Sequence, residues 1–559
     1  MKLKSIASVV LLASVSSASL ASAYSYQELS TGTLGTNQFA STIDNTGLVI
    51  STVQNRFNPP IDVSLLPLDN EDFQAQLTDL DAVAQGVFNP TDYAFLVAYI
   101  RDASRSNNQF RQQLGQYLSF SHFADTVSYI NAFDTLNSEQ QFTLELDTVV
   151  ADSVNGSHII GNSEGPFSPF TYVNEGENEL TYNLSEFDQR AFVQVGEQVH
   201  ALMPEEQTLG GLSRANAINT NLQVAGSLST GLATGFVNAI ESCDDPELRG
   251  DVPVESCYRS LFFTSNGSSV VRRSDLFVSR AVVWQLDNQG QTIDQQVYGL
   301  TIDLNETQAL SSQYFSQALD INNQGVAVGS SSVVFNESFV TTAATKYENG
   351  VSVRLIEDDQ LLPNSAVAIN DEGYIVGIRQ QRINSVTREK MFIIAPDSEQ
   401  ANFVQGFFES SATTPRAINN QGLVVGYADI ESGNTSTRRK AGFIYNITED
   451  KFTDINTLLP CERDFSVVEA TDINDNGEII ATALASRAQR DVRGEIVQNE
   501  DGSTSMIDTV ITVKLTPTGQ PAPNCESEEL IALERKGAST SISLFLLLFS
   551  VAFWRRTKA

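Results

Sequence analysis

The stretch ALDINNQGVAVG, residues 318–329, decides the fold. It places the apolar Ile321 before Asn322, then a short polar step, Gly325 and a run of small β-forming residues. An Asn side chain bonds the backbone two residues on, and a Gly adopts the left-handed conformation that closes a hairpin. The stretch therefore predicts a strand, a tight turn and a second strand.

The same order of residues recurs along the chain. Seven copies align on the apolar residue before the turn: Ile43, Val154, Ile218, Ile321, Ile369, Ile418 and Ile473. The last four copies lie 48, 49 and 55 residues apart, and near-constant spacing is the signature of a repeat architecture. We assign to the turns of these four copies Asn322, Gly325, Asn370, Gly373, Asn419, Gly422, Asn474 and Gly477.

Further strands lie between the copies. One is aromatic or apolar, as in AVVWQLDNQG from Ala281, and another ends in a Leu-rich corner, as in KFTDINTLLP at 451–460. Three clear strands and a fourth in each unit of about 50 residues predict an all-β, seven-bladed β-propeller over residues 24–517. We expect Tyr24–Leu29 and Thr509–Leu515 to pair in one blade, because closing the ring removes exposed sheet edges.

Two insertions interrupt the β pattern. In residues 72–135, Asn89 suits a helix N-cap, Pro90 suits the first helical position, and NNQFRQQLGQYLSF from Asn107 continues the helical pattern, so we expect a helical hairpin. Its basic residues either serve an anionic partner or are paired and solvated: Arg101, Arg105 and Arg111. The second insertion, residues 228–278, contains Cys243, Cys257 and the basic pair Arg272 and Arg273.

The unit formed by KAGFIYNITED, KFTDINTLLP and RAINNQGLVVGY resembles the HAF repeats of extracellular bacterial proteins. The whole chain is similar to an envelope family of Gram-negative bacteria that is built from such repeats and has no known function. The resemblance covers most of residues 24–517. It implies export and repeat architecture, and it implies no activity.

Both ends of the chain carry targeting patterns. Residues 1–23 have a basic start, an apolar middle and a small-residue end, which predicts a signal peptide. After an acidic linker at 518–536, residues 537–559 place Gly537 and small residues before the apolar stretch 542–554 and basic residues. This segment resembles GlyGly C-terminal sorting signals, although it has a single Gly. We expect the cell surface or outer envelope; the alternative is a periplasmic protein anchored in the inner membrane.

Composition limits the partners. The 559 residues carry 34 Lys and Arg against 68 Asp and Glu, a net charge of −34, which repels nucleic acid. The four cysteines are Cys243, Cys257, Cys461 and Cys525, and an even number in an exported chain indicates disulfides. Pairing Cys243 with Cys257 would close a short loop, but the sequence leaves all three pairings open.

Catalytic and metal motifs are weak. Ser163 lies in GNSEG, yet PFSPF follows where a nucleophile elbow needs a helix. The only histidines, His122, His158 and His200, have no paired spacing. Asp472, Asn474 and Asn476 match the first half of a calcium loop, but Ala483 replaces its final Glu. The sequence assigns no catalytic residue and no cofactor.

We therefore expect a monomeric, surface-directed binding or structural module that meets an envelope partner through its insertion loops. The alternative is a glycan-acting or other hydrolase with its site in the propeller channel.

Overall fold

The computed structural model describes residues 22–29, 33–124, 126–265, 270–273, 275–335, 339–357, 362–396, 398, 400–432 and 438–525. Residues 1–522 form one compact unit and residues 523–559 a second, and the fold below is that of the first. The predicted signal peptide up to residue 21 and the C-terminal segment with Gly537 lie outside the described residues. In the described part of the chain, no helix has the length and apolarity that a membrane crossing requires.

Seven four-stranded antiparallel sheets form the blades of a β-propeller, as predicted. In chain order, β1 is Ser22–Glu28; blade 1 holds β2 Gly35–Ile43, β3 Val49–Arg56, β4 Tyr117–Phe123 and β5 Thr126–Tyr129; blade 2 holds β6 Thr148–Val154 and β7 His158–Ser163, then the separate hairpin β8 Phe167–Val173 and β9 Glu179–Ser185, then β10 Arg190–Val195 and β11 Gln198–Leu202. Blade 3 holds β12 Ser213–Ile218 and β13 Gln223–Leu232, then the hairpin β14 Phe263–Ser265 and β15 Val270–Arg272, then β16 Phe277–Leu286 and β17 Thr292–Tyr298.

The second half of the chain is more regular. Blade 4 holds β18 Ser316–Ile321, β19 Ala327–Phe335, β20 Phe339–Glu348 and β21 Val351–Arg354; blade 5 holds β22 Asn364–Ile369, β23 Ile375–Ile383, β24 Val386–Ile394 and β25 Ala401–Phe403; blade 6 holds β26 Thr413–Ile418, β27 Leu423–Asp429, β28 Lys440–Asn446 and β29 Lys451–Asp454; blade 7 holds β30 Phe465–Ile473, β31 Ile479–Ala488 and β32 Met506–Pro521, with β1 as its fourth strand. The innermost strand of every blade ends at one of the seven aligned repeat residues.

The helices lie between strands. They are α1 Glu71–Gln74, α2 Leu80–Ala84, α3 Pro90–Arg105, α4 Thr234–Asp244, α5 Pro246–Arg249, α6 Val254–Leu261 and α7 Glu306–Ala309. The predicted cap of α3 is present, since the side chain of Asn89 accepts a hydrogen bond from the Asp92 backbone and Pro90 occupies the first turn. Leu96 and Ile100 of α3 are buried against Phe73 of α1, which holds the helices together.

The predicted ring closure is confirmed. β1 pairs antiparallel with β32, with Tyr24 opposite Pro517, Tyr26 opposite Leu515 and Glu28 opposite Val513. The backbone N–H of Leu29 extends this pairing by donating to the Thr512 carbonyl, 2.9 Å away. The two ends of the propeller sequence therefore complete one blade. β32 continues to Pro521, so the first residues of the predicted linker belong to the last blade.

The recurrent Gly of the second strand has a steric cause. A Cβ at Gly426 would lie 2.1 Å from the Thr414 carbonyl and 3.0 Å from the ring of Phe443, which is fully buried. The innermost strand bulges at this level, and the aromatic residue of the third strand packs on the opposite side. Gly is the residue that fits between a bulged backbone and an aromatic ring. The same crowding occurs at Gly161, Gly226 and Gly377, whereas a Cβ at Gly329 would meet the bulged backbone alone.

The Asn of the repeat turn links neighbouring blades. Asn322 accepts hydrogen bonds at Oδ1 from the backbones of Gln324 and Val326, and it donates from Nδ2 to the carbonyl of Asn370, its counterpart in the next blade. Equivalent Nδ2 bonds of 2.8–3.2 Å start from Asn219, Asn322, Asn370, Asn419 and Asn474. Gly325 closes the same turn with a φ of 79°. The motif therefore forms both a turn and a bond between blades.

Blade 2 departs from the alignment that the sequence suggested. Its strand register places Ser153, not Val154, at the position that Ile43 occupies in blade 1. Three residues, 155–157, then connect Val154 to its partner His158, instead of the five residues that connect the strands at the repeat turns of the other blades, and Asn155 and Gly156 have φ values of 57° and 65°. Asn155 is therefore not the counterpart of the ring of Asn residues.

The predicted helical hairpin was wrong in its second half. Residues 107–116 lack a helix, and Tyr117–Phe123 is β4 of blade 1. Asn107 has a φ of 49°, so the helical conformation of α3 does not continue past it. β4 is a largely buried strand paired with β3 on one side and β5 on the other. The insertion therefore lies between β3 and β4, and residues 117–129 belong to the propeller, not to the predicted 72–135 insertion.

Candidate functional site

Four insertions share one position in the blade topology. They join the second and third strands: β3 to β4, β7 to β10, β13 to β16, and β31 to β32. Because antiparallel strands alternate in direction, these connections lie on the face opposite the repeat turns. We call the two sides the insertion face and the turn face. Four consecutive blades, from blade 7 to blade 3, thus contribute to the insertion face.

The insertions contact one another. In blade 1, Gln109 donates from Nε2 to the Ser256 carbonyl of blade 3 at 3.2 Å, and its own carbonyl accepts from the Asn183 backbone of blade 2 at 2.6 Å. Arg493 of blade 7 donates to the Phe88 carbonyl at 2.7 Å. The insertions therefore form one continuous layer over the propeller.

Residues of this layer line a charged, partly open cavity of about 110 Å³. Blade 1 and its insertion line it with Arg101, Arg105 and Gln116; blade 2 contributes Glu145, Asp147, Glu164 and Phe167; and blade 3 contributes Arg259 and Phe263. We treat this cavity as the candidate functional site.

Three ion pairs attach the blade 3 insertion to blade 2. Arg259 contacts Asp188 at 3.2 Å, and Arg272 contacts the other carboxylate oxygen at 2.8 Å and also pairs with Glu164. Asp188 and Arg259 are 3% and 7% exposed. Removing one partner from a buried pair leaves an uncompensated charge, so these contacts fix the cavity wall.

The carboxyl groups of the cavity hold their protons more tightly than usual. Burial raises the pKa of Glu145 to about 8, and the nearby Asp134 and Asp62 add to this shift. Burial, followed by repulsion from Asp147, raises the pKa of Glu164 to about 7. Burial also raises the pKa of Asp147, although its Oδ1 accepts from the backbones of Gln116 and Tyr117. Glu145 is therefore largely protonated at neutral pH and can donate a hydrogen bond.

The predicted basic stripe is divided between two places. Arg101 donates to the Arg56 carbonyl at 3.1 Å and lines the cavity, and burial together with the charge of Arg105 lowers its pKa. Arg105 also lines the cavity, is exposed, and has no carboxylate partner among the residues that the structure describes. Arg111 lies elsewhere, with its guanidinium 3.9 Å from the centre of the Tyr99 ring. Arg272 and Arg273 of the second basic pair have carboxylate partners.

The turn face differs because its polar groups bond one another. From blade 4 to blade 7, the side chain of the residue after the Asn of the repeat turn accepts a hydrogen bond from the preceding blade. For example, the Asn323 N–H donates to Asp371 and the Asp371 N–H donates to Asn420, at 2.7 and 2.8 Å. These residues surround a recess of about 250 Å³ at the channel mouth. Their hydrogen bonds are used within the ring, so the recess offers a ligand fewer available groups than the cavity.

Three neighbouring carboxyl groups lie near the ends of the innermost strands of blades 2, 4 and 7. Each accepts the backbone N–H of a neighbouring blade: Asp152 from Ile218, Asp320 from Ile369 and Asp472 from Ile43, at 2.7–2.9 Å. Burial raises all three pKa values, that of Asp152 to about 8 and that of Asp320 to about 6, and repulsion from Asp472 adds to both shifts. These carboxyl groups therefore provide hydrogen-bond acceptors for backbone N–H groups at the ends of neighbouring innermost strands.

The weak calcium candidates belong to the repeat turn of blade 7. The Asp472 carboxylate accepts from Thr42 and Ile43, Asn474 Nδ2 donates to the Asp44 carbonyl, and Asn476 donates to the Asn45 carbonyl. These bonds join blade 7 to blade 1. Within the described ranges, no group of three or more His, Cys, Asp or Glu side chains has the arrangement of a metal site.

The structure separates the candidate catalytic residues. Ser163 is 1% exposed at the end of β7, where its Oγ lies 2.8 Å from Thr148 Oγ1. His122, His158 and His200 lie on three different strands, β4, β7 and β11. Burial lowers the pKa of His122 to about 4, and its Nε2 lies 2.7 Å from Ser51 Oγ. None of these residues lines the cavity.

All four cysteines are oxidised. Cys243 of α4 is bonded to Cys257 of α6, which braces the blade 3 insertion beside the cavity. Cys461 and Cys525 are also disulfide-bonded. The expected disulfides are therefore present.

Comparison with known proteins decides the family. The model of a family described as a protein of unknown function, DUF3466, matches residues 1–557. The chain belongs to the DUF3466 family. No curated protein matches it.

Several solved structures show a low similarity to this chain. An acylaminoacyl peptidase of Pyrococcus horikoshii is 9% identical, with 85% of this chain and 52% of that chain covered and a TM-score of 0.38. The oligogalacturonate lyase of Vibrio parahaemolyticus is 9% identical, with 86% and 97% covered and a TM-score of 0.29. This chain spans about half the length of the acylaminoacyl peptidases that it matches. At these TM-scores, the likenesses carry no argument about function.

Sequence reasoning singled out Arg101 and Arg105 but missed the carboxyl groups around them. Asp147 directly precedes an innermost strand, Glu164 directly follows a second strand, and Asp188 precedes a third strand. In this topology all three positions lie at the insertion face. Their common placement at strand ends on one face could have identified these residues as a group. Recognising it would have required the correct strand register of blade 2.

Proposed function

We propose that this protein is an exported, surface-directed binding module whose ligand site is the cavity on the insertion face. The observation that carries the proposal is the meeting of blades 1, 2 and 3 and their insertions around one charged cavity. A rigid ring that positions variable loops is the usual setting for recognition.

The availability of charged groups supports a binding role for this face. Arg105 is exposed at the cavity without a carboxylate partner in the described chain, whereas the polar groups of the turn face bond one another. The ion pairs of Arg259 and Arg272 and the disulfide between Cys243 and Cys257 keep the cavity wall rigid. A rigid site loses less conformational entropy when it binds.

Location in the envelope is part of the same proposal. Disulfides are typical of oxidising compartments outside the cytosol, and the signal-like N-terminus and the segment after Gly537 are consistent with export and sorting. Protease treatment of intact cells, followed by mass analysis of the released protein, tests this. Surface exposure predicts cleavage in intact cells and a C-terminus near Gly537. A protein protected until the outer membrane is opened, with residues after Gly537 retained, would contradict it.

The binding role is tested by sedimentation of the full-length protein with cell-envelope polysaccharide. We expect wild-type protein to bind and the charge reversal Arg105→Glu to weaken binding. Arg382→Glu is the matched control, since Arg382 is an exposed arginine on β23 away from the cavity. Equal binding by the two variants, or no binding by wild type, would exclude the cavity as the site for such a ligand.

A glycan-acting hydrolase is the second candidate. The observation that favours it is the group of carboxyls with raised pKa values, Glu145, Asp147 and Glu164, around one cavity, because glycoside hydrolysis uses two carboxyl groups in different protonation states. Incubation of wild type and Glu145→Gln with envelope polysaccharide tests it. New reducing ends produced by wild type alone would favour the hydrolase, and none in either sample would favour the binding module.

A further inference from the structure

Two arginines that line the cavity, Arg101 and Arg105, have no carboxylate partner among the residues that the structure describes. Arg101 lies near Arg105, and the contact that Arg101 makes is to the Arg56 carbonyl, not to a carboxylate. On the opposite wall, Arg259 and Arg272 are already engaged with Asp188 and Glu164. The guanidinium groups of two neighbouring arginines repel each other when no carboxylate lies between them. A bound anion would reduce this repulsion. In a chain of net charge −34, this arrangement selects a ligand with a negative group.

The other cavity groups limit how much negative charge the ligand can carry. Glu145, Asp147 and Glu164 line the same space, and Asp147 accepts two backbone hydrogen bonds as a carboxylate would. A doubly charged phosphate would meet these acids as well as the arginines. A single carboxylate pairs with one or two guanidinium groups in a planar geometry and brings only one charge.

The remaining lining suits hydroxyl groups. Amide and hydroxyl side chains predominate over apolar ones in the cavity wall: Asn55, Ser104, Asn107, Gln113 and Gln116. The rings of Phe167 and Phe263 are the aromatic surfaces, and both lie against the Arg259 guanidinium at 5.5 and 4.8 Å. A peptide end would bring an apolar side chain that finds little apolar surface here. A sugar brings hydroxyls, which both donate to carboxylates and accept from amides.

The size of the cavity restricts the length of the ligand segment. At about 110 Å³ the cavity is smaller than the recess of about 250 Å³ on the turn face. A space of this size favours one sugar residue over several linked residues.

We propose that this cavity binds the carboxylate of one acidic sugar residue, a uronate, through Arg101 and Arg105. The proposal rests on the binding function given above and names its ligand class. Arg105 supplies the exposed guanidinium at the entrance, and Arg101 supplies the second, which is held in place by the Arg56 carbonyl. Glu145 and the amide side chains bond the ring hydroxyls.

NMR titration of the full-length protein with D-glucuronate tests the proposal, with D-glucose, N-acetylglycine and inorganic phosphate as probes of the sugar ring, of a peptide carboxylate and of a different anion. We expect D-glucuronate to bind more tightly than each of the other three, and its binding to weaken as salt concentration rises. We expect Arg105→Gln to weaken D-glucuronate binding about tenfold or more, Arg105→Lys to retain part of the affinity, and Arg382→Gln to have no effect.

Each opposite result overturns the inference. If D-glucose binds as tightly as D-glucuronate, the carboxylate is not recognised. If N-acetylglycine binds more tightly, the sugar ring is not recognised, and if phosphate binds more tightly, the preference for a single charge is wrong. An unchanged affinity in Arg105→Gln would show that the ligand does not bind at this cavity. Absence of D-glucuronate binding also rejects it. In that case, envelope binding that is still lost in Arg105→Glu would keep the proposed function while the ligand class fails, so the two failures are distinguishable.

Discussion

Asn474 donates a hydrogen bond from Nδ2 to the backbone carbonyl of Asp44, 3.0 Å away, across the junction between blade 7 and blade 1. The same bond joins the blades from Asn219 onward. Between blades 1 and 2 the direction of the hydrogen bond is reversed. There the Asp44 carboxylate accepts from the Gly156 backbone N–H, 2.6 Å away, instead of donating to the next blade. A local turn signal in the sequence is therefore also the contact that fixes one blade to the next.

Asn370→Ala tests this double role. Asn370 is 3% exposed, accepts from the Tyr374 backbone at 2.9 Å and donates to the Asn419 carbonyl at 3.0 Å. Because both backbone partners are left unsatisfied, we expect a loss of about 1–3 kcal/mol in the free energy of unfolding. Chemical denaturation measures it.

Two further variants separate the roles of Asn370. Asn370→Asp keeps the acceptor for Tyr374 but loses the donor to Asn419, so it should also destabilise, and more at neutral than at acidic pH. Asn288→Ala, an exposed Asn in the turn after β16, is the control and should change little. If Asn370→Asp is as stable as wild type at neutral pH, the bond between blades contributes nothing.

Gly426→Ala tests the crowding behind the second strand. The added Cβ would lie 2.1 Å from the Thr414 carbonyl, so the bulged backbone or Phe443 must move. We expect a loss of roughly 1–3 kcal/mol, as for other overpacked cores. Thermal unfolding measures it, and Gly299→Ala is the control because a Cβ there meets no atom within 4 Å. Similar melting temperatures for both variants would contradict the steric explanation.

Asp152→Asn tests the carboxyl groups at the ends of the innermost strands. Burial and repulsion raise the pKa of Asp152 from 3.8 to about 8, so the folded protein holds a proton that the unfolded chain releases between these pH values. The stability that this proton contributes is complete below pH 4 and is lost as the pH rises to 8. Asn does not titrate. We therefore expect the variant to gain stability relative to wild type by roughly 1–3 kcal/mol between pH 5 and pH 8.

Denaturation curves at several pH values measure this difference. Asp294→Asn, which removes an exposed carboxylate of β17, controls for the loss of one negative charge. The same pH dependence in both variants, or a wild type that becomes relatively more stable as the pH rises, would show that Asp152 is not a strained acid.

The sequence predicts those features of the fold that short local segments specify. Ile321, Asn322 and Gly325 specify a local turn, and its recurrence gave the blade number and the pairing of Tyr24–Leu29 with the last blade. The second half of the helical hairpin failed because Gln-rich residues 107–116 have helical composition while β4 is specified by its partner β3. Blade 2 was misaligned by one residue because its turn is shorter.

The candidate site was less predictable than the fold. Arg101 and Arg105 were visible as cations in an acidic chain, but Glu145, Asp147 and Glu164 meet them only through tertiary structure. Their raised pKa values arise from burial between three insertions that are distant in sequence. No local pattern records such burial.

A disulfide across the closing strands tests the ring. Ser25 of β1 lies opposite Thr516 of β32, so Ser25→Cys with Thr516→Cys should cross-link in the oxidised, folded protein. Peptide mass mapping without reduction identifies the bond. Ser25→Cys with Ser503→Cys, which places the second cysteine in the β31–β32 insertion, should not cross-link. Equal cross-linking in both pairs would show that the N-terminal strand has no fixed register in blade 7.

The most direct test of the account is hydrogen exchange of the full-length protein with and without bound envelope polysaccharide. The account predicts slower exchange in residues 101–116, 145–147, 164–167 and 259–263, which surround the insertion-face cavity, and unchanged exchange at the repeat turns. Protection confined to the turn-face residues, such as 322–325 and 370–373, would contradict it.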